Sequence, residues 1–158
     1  MSVRSESLAK QFESRVAEMT RTLEKLTDAD WKKVTADKWS VGVTAHHVAG
    51  AHEGIAGIIK TVAAGQSMPP FTMDMLHDMN AKHAKEHAMA TKAETVALHK
   101  KGAAAAAATL RGLSDAEVGR SATVLTGMPP MSVEQIVGGI LVHHIDEHLG
   151  SIKATIGH

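Results

Sequence analysis

The 158-residue chain has no cysteine, no tyrosine, four prolines and only four tryptophan and phenylalanine residues together. Without cysteine it cannot form a disulfide, offer a thiolate to a metal or use a cysteine nucleophile. No apolar stretch approaches the roughly 20 residues that a membrane-spanning helix needs. The N-terminal segment MSVRSESLAK also lacks the apolar core of a signal peptide. We therefore expect a cytoplasmic protein with no membrane partner.

The charge is balanced, with 17 basic and 17 acidic residues and a formal net charge of zero. The chain thus lacks the broad basic surface that binding to nucleic acid requires. Its hydrophobic content of 44% suffices for one compact core, and we predict a single domain over residues 1–158. Histidine is unusually frequent, with 11 residues scattered along the sequence.

Apolar residues recur at three- and four-residue spacing, and residues that cap helices precede them. Ser40 is suited to cap one helix, and Thr91 with Glu94 forms a capping-box pattern at the start of another. The predicted helices span about residues 5–26, 41–64, 74–89, 92–112 and 133–156. Four long helices and one short helix favour an all-α fold, an antiparallel four-helix bundle with one additional short helix. We expect the alanine run in the fourth predicted helix to serve close packing.

The segment LVHHIDEHLGSI near the C-terminus contains three histidines within a predicted helix. A rotation of about 100° per residue places His144 and His148 in the middle of the apolar arc and His143 on the opposite side. Two inward imidazoles either satisfy themselves by hydrogen bonds or chelate one metal ion, and we favour the metal. Asp146 and Glu147 could orient the ligand rings, although their helix positions favour the surface.

A third ligand is expected from the second predicted helix, where His47 borders the apolar face. His46 lies on the opposite side of this helix, which we expect to face solvent. His52 lies at the other edge of the apolar face and is a weaker candidate. Helical periodicity thus selects His47 together with His144 and His148, the two inward histidines of the last helix.

A rival pair, His83 and His87, also lies four residues apart on the short helix. Lysine and glutamate residues surround it, and they favour a solvated or rim position over a ligand role. His77 and His99 stand alone in the sequence, and we expect no metal-binding role for them.

Two segments of the chain resemble motifs of the DinB/YfiT-like superfamily. KWSVGVTAHHVAG is similar to its W-S-x(6)-H-hydrophobic segment, and HIDEHLGSI is similar to its closing H-x-x-x-H-x-G-Q-hydrophobic motif. Each motif is weak alone, but their order and spacing over nearly the whole chain make the resemblance fairly specific. The resemblance maps His47, His144 and His148 onto the metal-ligand positions of the family. Ser151 departs from it, because the family usually has glutamine there.

The resemblance implies an up-down four-helix bundle with unusual connections, a divalent ion, commonly zinc or nickel, and frequent homodimers. Characterised relatives include S-transferases that use bacillithiol, mycothiol or glutathione, and a mycothiol-dependent maleylpyruvate isomerase. The chain has no inward carboxylate to serve as a ligand, which weakens an assignment of the isomerase type.

We therefore expect a metal-dependent enzyme that acts on a small molecule by thiol conjugation or hydrolysis. Three imidazoles leave an open position on the ion, so a metal-bound water or thiolate would be the nucleophile. Any low-molecular-weight thiol must arrive as a substrate, because the chain has no cysteine. No side chain is identified as a general base, and the catalytic residues are unassigned.

Two functions of other classes are the alternatives: a non-catalytic metal- or ligand-binding dimer module, and a plain helical dimerisation domain with packed histidines. Small residues at Gly50, Gly54 and Gly57 and at Ala103–Ala108 favour close approach of helices, within the bundle or between two copies. A cavity beside the metal is the other interpretation of the glycines. The loops QSMPPF and TGMPP are the expected walls of an access pocket, since both flank helices that carry ligands.

Overall fold

Helices make up most of the protein. The computed structural model describes residues 2–157. Its α-helices are α1 (Val3–Lys25), α2 (Asp28–Lys32), α3 (Val41–Ala63), α4 (Met73–Glu86), α5 (Lys92–Arg111), α6 (Asp115–Val118), α7 (Val133–Ile136) and α8 (His143–Ile156). A short antiparallel sheet pairs β1 (Ser121–Ala122) with β2 (Met131–Ser132), and a π-helical segment, Val137–Val142, joins α7 to α8. We call the continuous run of α7, this segment and α8 the C-terminal helix.

Side-chain caps define where the long helices begin. Ser40 accepts a backbone hydrogen bond from the first turn of α3 at 3.0 Å. Thr91 accepts one from the N–H of Glu94 at 3.2 Å, and Glu94 accepts one from the N–H of Thr91 at 2.6 Å. These bonds satisfy N–H groups that a helix start leaves unpaired. The predicted starts of α3 and α5 are therefore confirmed, while α4 ends at Glu86, within a turn of its predicted end.

The four long helices form the predicted four-helix bundle, and contacts between them give the direction of each. α1 runs parallel to the C-terminal helix, α3 runs parallel to α5, and the two pairs run in opposite directions. α1 lies beside α5 and the C-terminal helix, which places α3 at the opposite corner and accounts for the unusual connections. The contacts that show these directions for α1 are Arg4–Glu134 and Arg15–Asp146 with the C-terminal helix, and Lys100–Glu24 and Arg111–Glu6 with α5. α3 and α5 meet at His52 and His99, and further along both helices Ala63 and Thr109 line one cavity.

α5 packs closely against its neighbours through its alanine run. Ala103, Ala106 and Ala107 are buried, and a Cβ added at Gly102 would lie 3.3 Å from the carbonyl oxygen of Ala49 on α3. Small side chains thus bring the helix backbones together, as expected for this run. Larger side chains fill the remaining core, and the fully buried ones include Phe12, Met19, Leu23, Ile59, Leu110, Ile136, Leu141, Ile145, Leu149 and Ile152. No helix within residues 2–157 is long and apolar enough to cross a membrane.

The π-helical turn changes which side chains of the C-terminal helix face the core. In this turn the N–H of His143 bonds the carbonyl of Gly138, five residues earlier. The extra residue rotates every later side chain by roughly 100° relative to an uninterrupted α-helix. His144 and His148 therefore lie half-buried at the edge of the apolar face. A uniform rotation of about 100° per residue predicts them in its middle. The buried residues are Val133, Ile136, Val137, Leu141, Val142, Ile145, Leu149 and Ile152.

Two glycines of the predicted small-residue face play no part in packing within the bundle. Gly54 and Gly57 are exposed, and a Cβ at either position would meet nothing within 4 Å among residues 2–157. The expected close helix approach at these two positions is therefore wrong within a single chain. The close approach occurs instead at Gly42, where the indole of Trp31 covers the start of α3.

Replacing Gly42 with alanine is expected to destabilise the protein. The new Cβ would lie 2.4 Å from Nε1 of Trp31, and this indole is held by a 3.0 Å hydrogen bond to the carbonyl of Ala90. Overpacking against a rigid ring should lower the free energy of unfolding by roughly 1–3 kcal/mol. Gly150→Ala is the matched control, because Gly150 is exposed within α8 and an added Cβ would meet nothing within 4 Å among residues 2–157. It should raise that free energy by up to about 1 kcal/mol because alanine favours the helix. Urea unfolding measures both, and wild-type stability in the Gly42→Ala variant would contradict the close contact.

Candidate metal centre

His47, His144 and His148 meet between α3 and the C-terminal helix. One ring nitrogen of each lies within 4.8 Å of one from each of the others, and Nε2 of His144 is 2.9 Å from Nε2 of His47. Ligand nitrogens on a tetrahedral zinc ion with bonds of about 2.0–2.1 Å are about 3.3 Å apart. The close pair is therefore a few tenths of an ångström short of this spacing, and the third nitrogen lies within 4.8 Å of both. The three histidines selected from the sequence do lie together in the structure.

The loop before α3 packs a tryptophan against the His47 ring. The loop closes on itself through a 2.8 Å hydrogen bond from the N–H of Thr35 to the carbonyl of Trp39. The indole of Trp39 then meets His47 edge-on, with ring centroids 5.2 Å apart. Such edge-to-face contacts favour a defined ring orientation. The tryptophan of the KWS motif therefore helps to set the direction of the first ligand ring.

Burial keeps the three imidazoles neutral. Desolvation lowers the pKa of His47 to about 4 and the pKa of His144 to about 3, and neighbouring histidines add to both shifts. Desolvation also lowers the pKa of His148, against the opposing effect of Glu147 and Asp37. Metal ligation requires the neutral form of imidazole. At pH 7 all three rings therefore carry a nitrogen lone pair that is free of a proton.

A second group of three histidines, His46, His83 and His87, lies against the first. Nδ1 of His46 is 2.9 Å from Nε2 of His83, and the ring of His46 stacks on that of His87 with centroids 4.2 Å apart. The prediction that His46 faces solvent is wrong, because only 9% of this residue is exposed. α4 packs on the side of α3 that an amphipathic pattern assigns to solvent. His83 and His87 are half-buried, at the rim of this group.

His52 and His99 form a separate buried pair between α3 and α5. Nε2 of His52 is 2.9 Å from Nδ1 of His99, and Nε2 of His99 is 3.3 Å from the carbonyl oxygen of Val16. A carbonyl only accepts, so His99 donates from Nε2 and accepts at Nδ1 from Nε2–H of His52. Hydrogen bonds thus engage both ring nitrogens of His99 and Nε2 of His52, and both residues belong to the core. This pairing was not predicted from the sequence because it joins two different helices.

The three polar residues beside the ligands on the C-terminal helix face away from the first triad. Asp146 pairs with Arg15 of α1 at 2.5 Å, and Glu147 lies 3.6 Å from Nε2 of His143. The side chain of His143 is 64% exposed. The expected surface positions of all three are therefore confirmed.

The two proline-containing loops lie away from the histidines. They contact each other, since the N–H of Thr126 donates to the carbonyl of Phe71 at 2.9 Å. Phe71 precedes α4, whose helical rise separates its first residue from His83 by roughly 15 Å. The loops therefore do not form the predicted walls of a pocket at the metal centre. Trp39 and the C-terminal end of α4 border the centre instead.

Comparison with known proteins supports the fold. The sequence profile of the DinB superfamily matches residues 11–152. YfiT from Bacillus subtilis, described as a probable metal-dependent hydrolase with an unusual four-helix bundle topology, aligns with a TM-score of 0.76 and 19% identity over 99% of this chain and 90% of YfiT. A mycothiol-dependent maleylpyruvate isomerase aligns with a TM-score of 0.74 and 11% identity over 96% of this chain and 63% of the isomerase. No curated protein sequence is significantly similar.

Proposed function

The chain belongs to the DinB superfamily, and from this premise we propose that it is a divalent-metal-dependent enzyme that acts on a small molecule. The observation that carries the proposal is the convergence of three imidazoles, His47, His144 and His148, from two helices. All three are half-buried and neutral at pH 7. Imidazole nitrogen suits zinc and nickel, so this donor set fits the ion that we propose.

The ligand rings are oriented by their surroundings. Trp39 packs against the ring of His47, and the backbone of α8 keeps His144 and His148 one turn apart on one side of the helix. When bound, a divalent ion supplies Lewis-acid activation of a water or a thiol by lowering its pKa. Three protein ligands leave room at the centre for such a group.

We propose a reaction of the thiol-dependent S-transferase type or a hydrolysis. YfiT is described as a probable metal-dependent hydrolase, and the isomerase depends on mycothiol. This chain has no cysteine, so a thiol would arrive as a low-molecular-weight substrate. Neither histidine triad within residues 2–157 includes a carboxylate, which favours these reactions over one that needs an acidic ligand.

We also propose that the protein forms a homodimer, as the family resemblance implies. Gly54 and Gly57 are exposed and have no side chains, so a second copy could approach the backbone of α3 closely at these positions. A twofold dimer would use the same patch of both copies. Sedimentation that shows only a monomer at high concentration would reject this part of the proposal.

The enzymatic proposal is tested with the untagged protein, loaded in turn with zinc and with nickel. Bacillithiol, mycothiol and glutathione are each offered with an electrophilic fluorogenic acceptor, and ester and amide substrates are offered without a thiol. We expect metal-dependent turnover of one class, and its loss in His47→Ala. His143→Ala is the matched control and should keep its turnover, because His143 faces solvent. A protein that binds the ion tightly and turns over none of these substrates would favour the non-catalytic binding module.

A further inference from the structure

The triad of His46, His83 and His87 is not used by the function proposed above. We propose that it binds a second divalent transition-metal ion, next to the site of His47, His144 and His148. One ring nitrogen of each residue lies within 4.8 Å of one from each of the others. Neutral imidazoles bind zinc, nickel and cobalt, so the donor set points to an ion of this class.

The two triads are built alike. Each combines one histidine of α3 with two histidines four residues apart. These are His144 and His148 on α8 in one case, and His83 on α4 and His87, which caps the end of α4, in the other. Residues four apart lie one above the other on a helix, where two imidazoles can chelate one ion. His46 and His47 are consecutive, so they diverge by about 100° around α3. One therefore faces α4 and the other faces the C-terminal helix.

The distances within the second triad suit an ion. The 2.9 Å between Nδ1 of His46 and Nε2 of His83 is a little shorter than the roughly 3.3 Å between ligand nitrogens on a tetrahedral ion. The rings of His83 and His87 have centroids 4.7 Å apart, close to the 4.6 Å between those of His144 and His148. An ion would open the contact between His46 and His83 by a few tenths of an ångström, and the remaining nitrogen of the triad lies within 4.8 Å of both.

Hydrogen bonds leave this triad incompletely satisfied. The contact between His46 and His83 uses one nitrogen of each ring. The other nitrogen of His83, Nδ1, is buried and has no hydrogen-bond partner among residues 2–157. Buried polar atoms in folded proteins nearly always have a partner, because they have given up their hydrogen bonds to water. By contrast, the nearby pair of His52 and His99 is linked onward to a backbone carbonyl, that of Val16.

An ion in the second triad would fasten α4 to α3. No residue of Met73–Glu86 is buried, so apolar packing does little to hold this helix in place. The ring of His83 also lies against that of His47, with centroids 5.4 Å apart, so α4 borders the first triad. The second ion therefore has a structural role: it keeps α4 against the first site.

The test is the zinc stoichiometry of the untagged full chain, measured by elemental analysis after chelator treatment and dialysis against zinc alone. We expect the wild type to bind two ions per chain. The His83→Ala/His87→Ala variant and the His47→Ala/His144→Ala variant should each bind one.

A second measurement is trypsin cleavage after Lys82 and Lys85, which are exposed on α4. Zinc should slow this cleavage in the wild type and in His47→Ala/His144→Ala, but not in His83→Ala/His87→Ala.

His77→Ala is the matched control, because His77 is exposed on the same helix and belongs to neither triad. It should bind two ions. If circular dichroism shows that His83→Ala/His87→Ala has lost helix content, the single variant His87→Gln, at the end of α4, is used in its place. A wild type that binds one ion, retained in His83→Ala/His87→Ala and lost in His47→Ala/His144→Ala, would overturn the second site and leave the first intact. Cleavage that zinc does not slow in the wild type would also overturn it.

Discussion

In a His83→Ala/His87→Ala background, replacing His144 with alanine is expected to abolish the rise in melting temperature that zinc gives. An ion bound by His47, His144 and His148 joins α3 to the C-terminal helix, and it binds only the folded chain. At a zinc concentration of about 100 times the dissociation constant, such an ion adds about 2.7 kcal/mol to the free energy of unfolding. For a chain of this size we expect a rise of roughly 5–10 °C, measured by calorimetry with zinc and with chelator.

In the same background, the His143→Ala variant should keep the full rise in melting temperature with zinc. His143 adjoins His144 in the sequence, but its side chain is exposed and lies 3.6 Å from Glu147. The metal-free forms of both variants should melt close to their parent, because the change removes only a half-buried or an exposed ring. An undiminished zinc response in the His144→Ala form, or a parent that does not respond to zinc, would refute the ligand assignment.

In chelator, the protein is expected to lose most of its stability as the pH falls from about 6.5 towards 4.5. Desolvation lowers the pKa of the buried His52 from 6.5 to about 3, and it also lowers the pKa of its partner His99. The unfolded chain therefore binds more protons in this window. Stability is complete above pH 6.5 and falls as the pH approaches the folded pKa.

Each proton taken up on unfolding lowers the free energy of unfolding by about 1.4 kcal/mol per pH unit. His52 alone thus removes roughly 2.7 kcal/mol over two pH units, and the lowered pKa values of His99, His47 and His144 add to this loss. The sum is a large share of the roughly 5–15 kcal/mol that is typical of a folded domain. Urea unfolding at a series of pH values in chelator measures the slope, and we expect it to correspond to at least two protons.

The variant His52→Leu/His99→Leu should have a shallower slope. Leucines fill the site with apolar groups that do not titrate, and the carbonyl of Val16 keeps its 2.9 Å hydrogen bond from the hydroxyl of Thr20. His77→Leu, at an exposed position on α4, should leave the slope unchanged and serves as the control. An equal slope in the double variant and the wild type would show that the buried pair does not drive the acid transition.

Helical periodicity was sufficient to select the histidines of the first triad. His47 and the two histidines of the C-terminal helix lie beside apolar stripes, and such stripes are visible in one helix at a time. The π-helical turn was not visible in this way, and it moved His144 and His148 from the middle of the stripe to its edge. The irregular turn depends on backbone hydrogen bonding, which a uniform rotation per residue does not represent.

The second triad escaped the same reasoning because its partners lie on different helices. The spacing of His83 and His87 suggested a pair, but nothing in their own charged segment indicated that a third histidine faces them. His46 was assigned to solvent from the pattern of α3 alone. A signal was present in residues 41–52, which include no charged residue, so no side of this part of α3 is marked for solvent. In the structure all six residues from Val41 to His46 are buried.

The sequence by itself determined the elements of this protein. Caps at Ser40 and Thr91 and the apolar periodicity act within a few residues, so the helices, the all-α class and the inward histidines follow from neighbours along the chain. Only the tertiary structure decided which helices are neighbours. His46 meets His83 across 37 residues, and His47 meets His144 across 97. Such contacts depend on how α4 and the C-terminal helix dock on α3, and no local pattern along one helix specifies that docking.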